Sequence, residues 1–308
     1  MKIVFFGTSE FAVPVLQKLA NSNYEIAAVI TQPDKPAGRK QFPLPSPVKI
    51  AARELQLNVV QPQKLEIENW KLKIPEADLY IVASYGKIIP KSVLDIPKFG
   101  ALNIHPSLLP KYRGPSPIQA AILNGDTETG VTIMKLDEAM DHGPVLESRK
   151  WKIENTTGFR ELHNKLARLG ADLLLEVLPK YTSAELKPAP QDQPNATYTK
   201  IINKDDARID WAKSAEKIDR QIRAYESWPV AWTTLNGKRL KIFKSLKVPL
   251  PGDTTSEPGS MQIDAGGLEV SCGSGLLKVL ELQLEGSKRL SISEFLKGYH
   301  ASSSEKLI

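Results

Sequence analysis

Apolar runs with no polar face alternate, along the first half of the chain, with stretches whose apolar residues recur at helical spacing. "KIVFFG" is such a run and ends in glycine, while the "TSEFAVPVLQKLANS" that follows sets Phe11, Val15, Leu16 and Leu19 on one helical face. "YEIAAVIT" predicts a second strand, and it opens a long irregular segment, "QPDKPAGRKQFPLPSP". "VKIAARELQL" then predicts a helix, and "LNVVQP", "DLYIVASYG" and "GALNIHPS" predict strands. Strands apolar throughout, separated by amphipathic helices, are what a parallel sheet covered on both faces requires. The expected fold of this part is α/β, doubly wound, with a mostly parallel Rossmann-like sheet.

The pattern then changes. After the helix "PIQAAILNGD", "TGVTIMKLD" and "GPVLESRKWKI" predict a hairpin added to that sheet. Leu162, Leu166, Leu169, Leu173 and Val177 form the apolar stripe of a long helix from Thr157 to Tyr181, and His163 on it is expected as a surface or packing residue. Prolines 188, 190 and 194 mark a linker. Beyond it "SAEKIDRQIRAY" is helical, and "RLKIFKSLKV", "GLEVSC" and "LLKVLELQLEG" are β-like. In the first of these Leu240, Ile242, Leu246 and Val248 share one parity and Lys241, Ser245 and Lys247 the other, which predicts one buried and one wet face. The expected division is a catalytic domain over 1–189, a linker over 190–205 and a smaller OB-like β-barrel over 206–308.

Composition narrows the function classes. The chain has 308 residues with 41% hydrophobic and 25% charged, which is ordinary for a globular protein of this length. No apolar run approaches the ~20 residues of a membrane span, and "MKIVFFGTSEF" carries no signal-peptide pattern, so a cytoplasmic protein without a membrane partner is expected. The single cysteine, Cys272, permits no internal disulfide and is expected to be a buried small hydrophobe. Net charge is +6, and residues 208–247 hold ten Lys or Arg against four acids, a concentration that permits a nucleic-acid partner.

Several chemistries lack sequence support. The first glycine turn, "GTSEFA", has only Gly7 where a dinucleotide fingerprint needs three glycines, and Ser9 is expected as the N-cap of the next helix. No HExxH, GxSxG or CxxC pattern occurs. "LNIHPS" is more informative. Asn103 and His105 are two apart on a predicted strand, so both side chains leave one face near its carboxyl end, where α/β sheets bind ligands. An amide N–H and an imidazole N–H converging on one oxygen can stabilise an oxyanion, and Asp141, beside glycine and proline, is the candidate carboxylate.

The ordered run "HPSLLPKYRGPSPIQAAILNGDTETGVTIMKLDEAMDHGPVL" resembles the signature region of formyltransferases that use 10-formyltetrahydrofolate. That resemblance implies Asn103, His105 and Asp141 as the catalytic triplet, with no metal required. It also implies a folate site made by Gly86, Lys87 and Ile89 of "SYGKII", by Ser107, Leu108, Leu109 and Pro110, and by the 137–141 loop. The long loop after the second strand, and "YTKIINKDDARIDWAKSAEKIDRQIRAYESWPVAWT", resemble the branch acting on initiator methionyl-tRNA, which implies a monomer with tRNA as partner. On that reading Lys35, Arg39 and Lys40 enter the acceptor end, and Lys213, Lys217, Arg220, Lys238, Arg239, Lys241 and Lys244 engage phosphates. Val230 departs from the family, which often has glycine there.

Overall fold

The computed structural model describes residues 1–37, 42–65, 74–248, 257–264, 266–299 and 306–308. The chain divides into one compact unit of residues 1–117, 128–152 and 163–200 and another of residues 118–127, 153–162 and 201–308.

The first unit runs β1 (Lys2–Gly7), α1 (Ala12–Ala20), β2 (Glu25–Ile30), β3 (Lys35–Ala37), β4 (Phe42–Leu44), α2 (Pro47–Glu54), β5 (Val59–Val60), β6 (Leu79–Ala83), α3 (Lys91–Leu94) and β7 (Ala101–His105). Then come α4 (Pro117–Asn124), which from Ile118 on belongs to the second unit, β8 (Glu128–Lys135), β9 (Val145–Lys152) and the long α5 (Phe159–Thr182), of which residues from His163 on belong to the first. Seven strands form one sheet in the order β5-β2-β1-β6-β7-β8-β9. The first five are parallel and β8 and β9 join antiparallel, as the alternating pattern and the hairpin predict. β6 and β7 are buried at every position, which explains the unbroken apolar sequence of β6; in β7 only Asn103 and His105 are polar.

Local chemistry sets the element ends. Ser46 caps α2 by accepting from the Lys49 N–H, with Pro47 at the first helical position. Gly7 lets α1 close on β1, because a Cβ there would stand 2.8 Å from Ala12 Cβ. Ser9 is not the cap of α1: the N-cap is Phe11 without a side-chain bond, and Ser9 Oγ instead donates to Ser84 Oγ at 2.7 Å. The segment read as irregular between β2 and α2 contains the β3–β4 hairpin, paired Lys35 to Leu44.

Residues 190–200, expected as linker, belong to the first unit. They bond to it directly: Arg113 N–H donates to Thr197 O at 2.8 Å and Thr199 N–H to Arg113 O at 2.8 Å. Proline spacing misled here because Pro also suits an extended strap whose N–H groups are partly unused.

The second unit contains α6 (Ala215–Ala224), β10 (Trp232–Leu235), β11 (Lys238–Val248), β12 (Met261–Asp264), β13 (Gly267–Ser271), β14 (Leu276–Leu284), β15 (Leu290–Ser291) and α7 (Ile292–Leu296). Its antiparallel sheet has the order β10-β11-β14-β13-β12, with β15 on β14. Ile218 and Ile222 of α6 pack with Leu240, Ile242, Val270 and Val279 of the sheet. The parity expected for β11 fails past Ile242. The register with β14 shifts between Ile242 and Lys244 and again before Ser245, so Ser245 is buried and Leu246 is 49% exposed. The pairing is out of step only at Lys244 and returns to its earlier register at Ser245, three residues on in both strands, so the side chains beyond it face the other way. At Val230 φ is +70°, the left-handed region that β-branched residues rarely adopt and glycine takes freely, which accounts for the family's usual residue there.

Candidate active site

Asn103 and His105 lie at the carboxyl end of β7 and are buried, at 9% and 4% exposure. Their strand is flanked by β6 in parallel and β8 in antiparallel register, with Asn103 opposite Val82 and Met134. Asp141 comes from the β8–β9 connection and has φ +48°, a left-handed conformation that costs a non-glycine residue about 1–2 kcal/mol. That conformation carries its carboxylate to the other two groups. Asn103 Nδ2 donates to Asp141 Oδ1 at 3.4 Å, and Asp141 Oδ2 stands 3.6 Å from His105 Nδ1. The second oxygen is also anchored, accepting from the Gly114 N–H at 2.8 Å.

The other imidazole nitrogen is committed. His105 Nε2 lies 2.9 Å from the carbonyl oxygen of Tyr112, and a carbonyl only accepts, so Nε2 carries a proton. The atom left facing Asp141 is Nδ1.

The residues expected at folate divide between the ends of neighbouring strands. Gly86, Lys87 and Ile89 follow β6, and Ser107 to Pro110 follow β7. Ile89 is buried within the core beside Val93 and Leu94, so its side chain serves packing. Lys87 Nζ donates to Gln63 O at 3.0 Å. Ser107 is fully buried, with its hydroxyl donating to Lys111 O at 2.5 Å. Its carbonyl accepts from Thr132 Oγ1 at 2.7 Å, and that hydroxyl accepts from Leu109 N–H at 3.1 Å. The turn holding Leu108, Leu109 and Pro110 is thus tied to β8 through Thr132.

A cavity of about 420 Å³ opens where β1 and β2 end, among Thr8, Gln32, Lys35, Leu44, Ser46 and His163. Between the lining residues Pro33 and Lys35, Asp34 is held in an ion pair: Lys49 Nζ donates to both its oxygens, at 2.8 and 2.6 Å, and Gln61 Nε2 adds a third bond at 2.8 Å. The Lys49 bond, with Gln61 next, holds the Asp34 carboxyl below its usual range. Arg39 and Lys40 lie outside the described residues.

The basic residues of the second unit are unequal. Lys213, Lys217, Lys238, Arg239 and Lys244 are exposed and Lys241 is half-buried. Arg239 stacks over the Trp232 ring at 4.1 Å. Arg220 is engaged within the protein, donating to Glu216 Oε1 at 2.7 Å and to Asn124 O at 3.5 Å. Cys272 is buried and its thiol is pushed up to about 12 by desolvation, as expected for a packing residue. Among the described residues no group of three His, Cys, Asp or Glu is arranged to hold a metal ion, and no helix is long and apolar enough to cross a membrane.

Residues that the sequence did not mark include Thr132, Tyr112, Gly114 and Gln191. The first three stand inside the ordered signature, but nothing local distinguishes a main-chain donor or acceptor that touches the site from one that does not. Gln191 sits between prolines in the segment expected to be linker.

A buried amide and imidazole with a half-buried carboxylate, at the carboxyl edge of a parallel α/β sheet, can stabilise charge on an acyl-type oxygen. The chain belongs to the formyl transferase family, whose model matches residues 1–178, and the family's C-terminal domain matches residues 201–300. It is 45% identical to the methionyl-tRNA formyltransferase of Methylococcus capsulatus over 100% of this chain and 99% of that protein. The methionyl-tRNA formyltransferase of Geobacillus thermodenitrificans is also 45% identical, over 96% of this chain and 93% of that protein. Among solved structures, HypX from Aquifex aeolicus, crystallised with tetrahydrofolic acid, matches with TM-score 0.68 at 19% identity, over 99% of this chain and 50% of HypX. That likeness concerns the fold.

Proposed function

We propose that this chain transfers the formyl group of 10-formyltetrahydrofolate to the α-amino group of initiator methionyl-tRNA, giving N-formylmethionyl-tRNA for translation initiation. The observation that carries this reading is the convergence of Asn103, His105 and Asp141 in a chain 45% identical, end to end, to proteins of that name. In the reaction the amine nitrogen bonds to the formyl carbon, the bond from that carbon to the folate nitrogen breaks, and one proton passes from the amine to the folate.

Each side chain has a part in this. The formyl oxygen gains negative charge as the amine adds, and Asn103 donates to it the amide hydrogen that Asp141 does not use. His105, protonated at Nδ1, is the second donor, and the Asp141 carboxylate stabilises that imidazolium. The Asp141 carboxylate relays the proton that the amine loses to the leaving folate nitrogen, directly or through water. The Gly86–Ile89 and Ser107–Pro110 turns supply main-chain groups to the flat, donor-rich heterocycle of the folate. Lys35, Arg39 and Lys40 meet the acceptor end, and the exposed lysines and Arg239 of the second unit meet phosphates. Arg220, already bonded to Glu216, contributes little to that set. The protein acts as a cytoplasmic monomer.

Incubation with labelled formyl donor and, separately, methionyl-tRNA, glycinamide ribonucleotide and an amino-sugar nucleotide tests the reading, with His105→Ala as control. Label is expected on methionyl-tRNA alone and absent with the variant. Label confined to a small-molecule amine would assign another acceptor, and no label anywhere would leave a binding protein.

A further inference from the structure

Arg113 is 1% exposed, and its recorded partners among the described residues are all neutral. Its Nε and Nη2 donate to Gln191 Oε1 at 3.0 and 2.7 Å, Nη2 also to Gln193 Oε1 at 2.9 Å, and Nη1 to Tyr198 Oη at 3.1 Å. A guanidinium has only donors, so it settles which way the Gln191 amide points: the oxygen faces Arg113 and the nitrogen faces away. That nitrogen donates to Asp141 O at 2.9 Å and to Gly143 O at 2.7 Å. Both lone pairs and both hydrogens of the amide are thereby used, and Gln191 is itself only 7% exposed.

What the amide holds is the backbone of a strained residue. Asp141 sits at φ +48°, and a non-glycine residue stays in that region only where its surroundings over-determine it. Gln191 grips the Asp141 carbonyl from one side while Gly114, the residue after Arg113, grips Oδ2 from the other. Residues 112–114 also touch the other member of the pair, through Tyr112 O on His105 Nε2. The strap that holds Gln191 is zipped to the same short segment by Thr197 and Thr199.

We propose that Gln191, oriented by the buried Arg113, is a positioning residue that sets the Asp141 carboxylate against His105 and Asn103. This rests on the reading of Asp141 as part of the catalytic group. It makes the segment after the α/β sheet a working part of the active site rather than a tether.

Gln191→Glu tests it, because a carboxylate still accepts from Arg113 but has no hydrogens for the Asp141 and Gly143 carbonyls. The expected result is a fall in kcat of roughly 10- to 100-fold, the scale of a misplacement near 1 Å, with KM for both substrates and the melting temperature unchanged. Gln191→Met, similar in length and without donors, is expected to do the same. A kcat within about twofold of the parent, well below that scale, overturns the proposal. So does a loss in which kcat and melting temperature fall while KM rises in both variants, or a failure of both to fold, since the residue would then be purely structural. His105→Ala in the same assay separates the two readings. If it stays active the catalytic assignment itself fails, whereas an inactive His105→Ala beside a fully active Gln191→Glu removes only the positioning role.

Discussion

Nε2 of His105 stands 2.9 Å from the carbonyl oxygen of Tyr112, and this one relationship decides which imidazole nitrogen is left for other partners. A strand-end histidine two residues from an asparagine has two nitrogens to offer, and the spacing does not choose between them. Because the carbonyl requires a hydrogen on Nε2, the neutral ring carries its lone pair on Nδ1, 3.6 Å from Asp141 Oδ2. Nitrogen chemical shifts of the neutral ring in the free enzyme are therefore expected to report the Nε2–H form. A dominant Nδ1–H form would contradict the geometry.

Asn103 offers one amide hydrogen to Asp141, and the proposed mechanism gives the other to the reacting oxygen. Replacing it by alanine removes one oxyanion donor, for which kcat should fall roughly 100- to 1000-fold with little change in substrate binding. Single-turnover kinetics with saturating substrates would check this. A loss expressed mainly in KM would make Asn103 a ground-state contact.

Asp141→Asn isolates the charge of that residue. Asparagine tolerates the left-handed backbone and can still accept from Gly114 N–H, so the loop should keep its form. What disappears is the anion beside His105, and a kcat loss of roughly 100-fold or more is expected. Near-parental turnover would mean that the carboxylate serves only to hold the loop.

Asp34 ties its pH dependence to the rim of the β1–β2 cavity. Its carboxyl is held below the ordinary 3.8 by Lys49 and then Gln61, so the unfolded chain binds the proton first as the medium is acidified. The stabilisation is complete above that ordinary value and is lost as pH falls from it through the lowered folded-state value. Melting temperatures of the parent and Asp34→Asn should therefore differ most above the ordinary carboxylate value and converge as the medium is acidified below it. A constant gap across that range would assign the effect to packing.

The exposed lysines of the second unit make a prediction about salt. Lys238→Gln with Lys244→Gln should raise KM for methionyl-tRNA, leave KM for the formyl donor alone, and lower the slope of log affinity against log salt by about 2, close to one per phosphate contact. Arg220→Gln should change that slope little, because its guanidinium is already held by Glu216 and the Asn124 carbonyl.

Period and polarity were enough to read the catalytic sheet. Strands such as "LYIVA" are apolar at every position because both faces are covered, and that requirement is local and visible residue by residue. The same rule failed in β11, where a pairing irregularity at Lys244 left Ser245 inward and Leu246 outward, since such an irregularity depends on the partner strand β14 and leaves no mark on its own sequence. The linker was misjudged for a similar reason: prolines signal a chain that is neither helix nor central strand, but not what it lies against.

The site divides along the same line. Asn103 and His105 share a face because side chains on a strand repeat every two residues, and the ordered signature reaching Asp141 names the third group; the linear chain contains all of this. Their working geometry depends on contacts far apart in the chain. Gly114 meets Asp141 across 27 residues and Gln191 reaches the same residue across 50. The proton on His105 is placed by a main-chain oxygen that any residue at position 112 would possess, so its identity in the sequence carries no signal. Residue type and period are properties of short stretches and survive in one dimension, whereas tautomer, backbone strain and the partner of a buried charge arise only when distant segments close around each other.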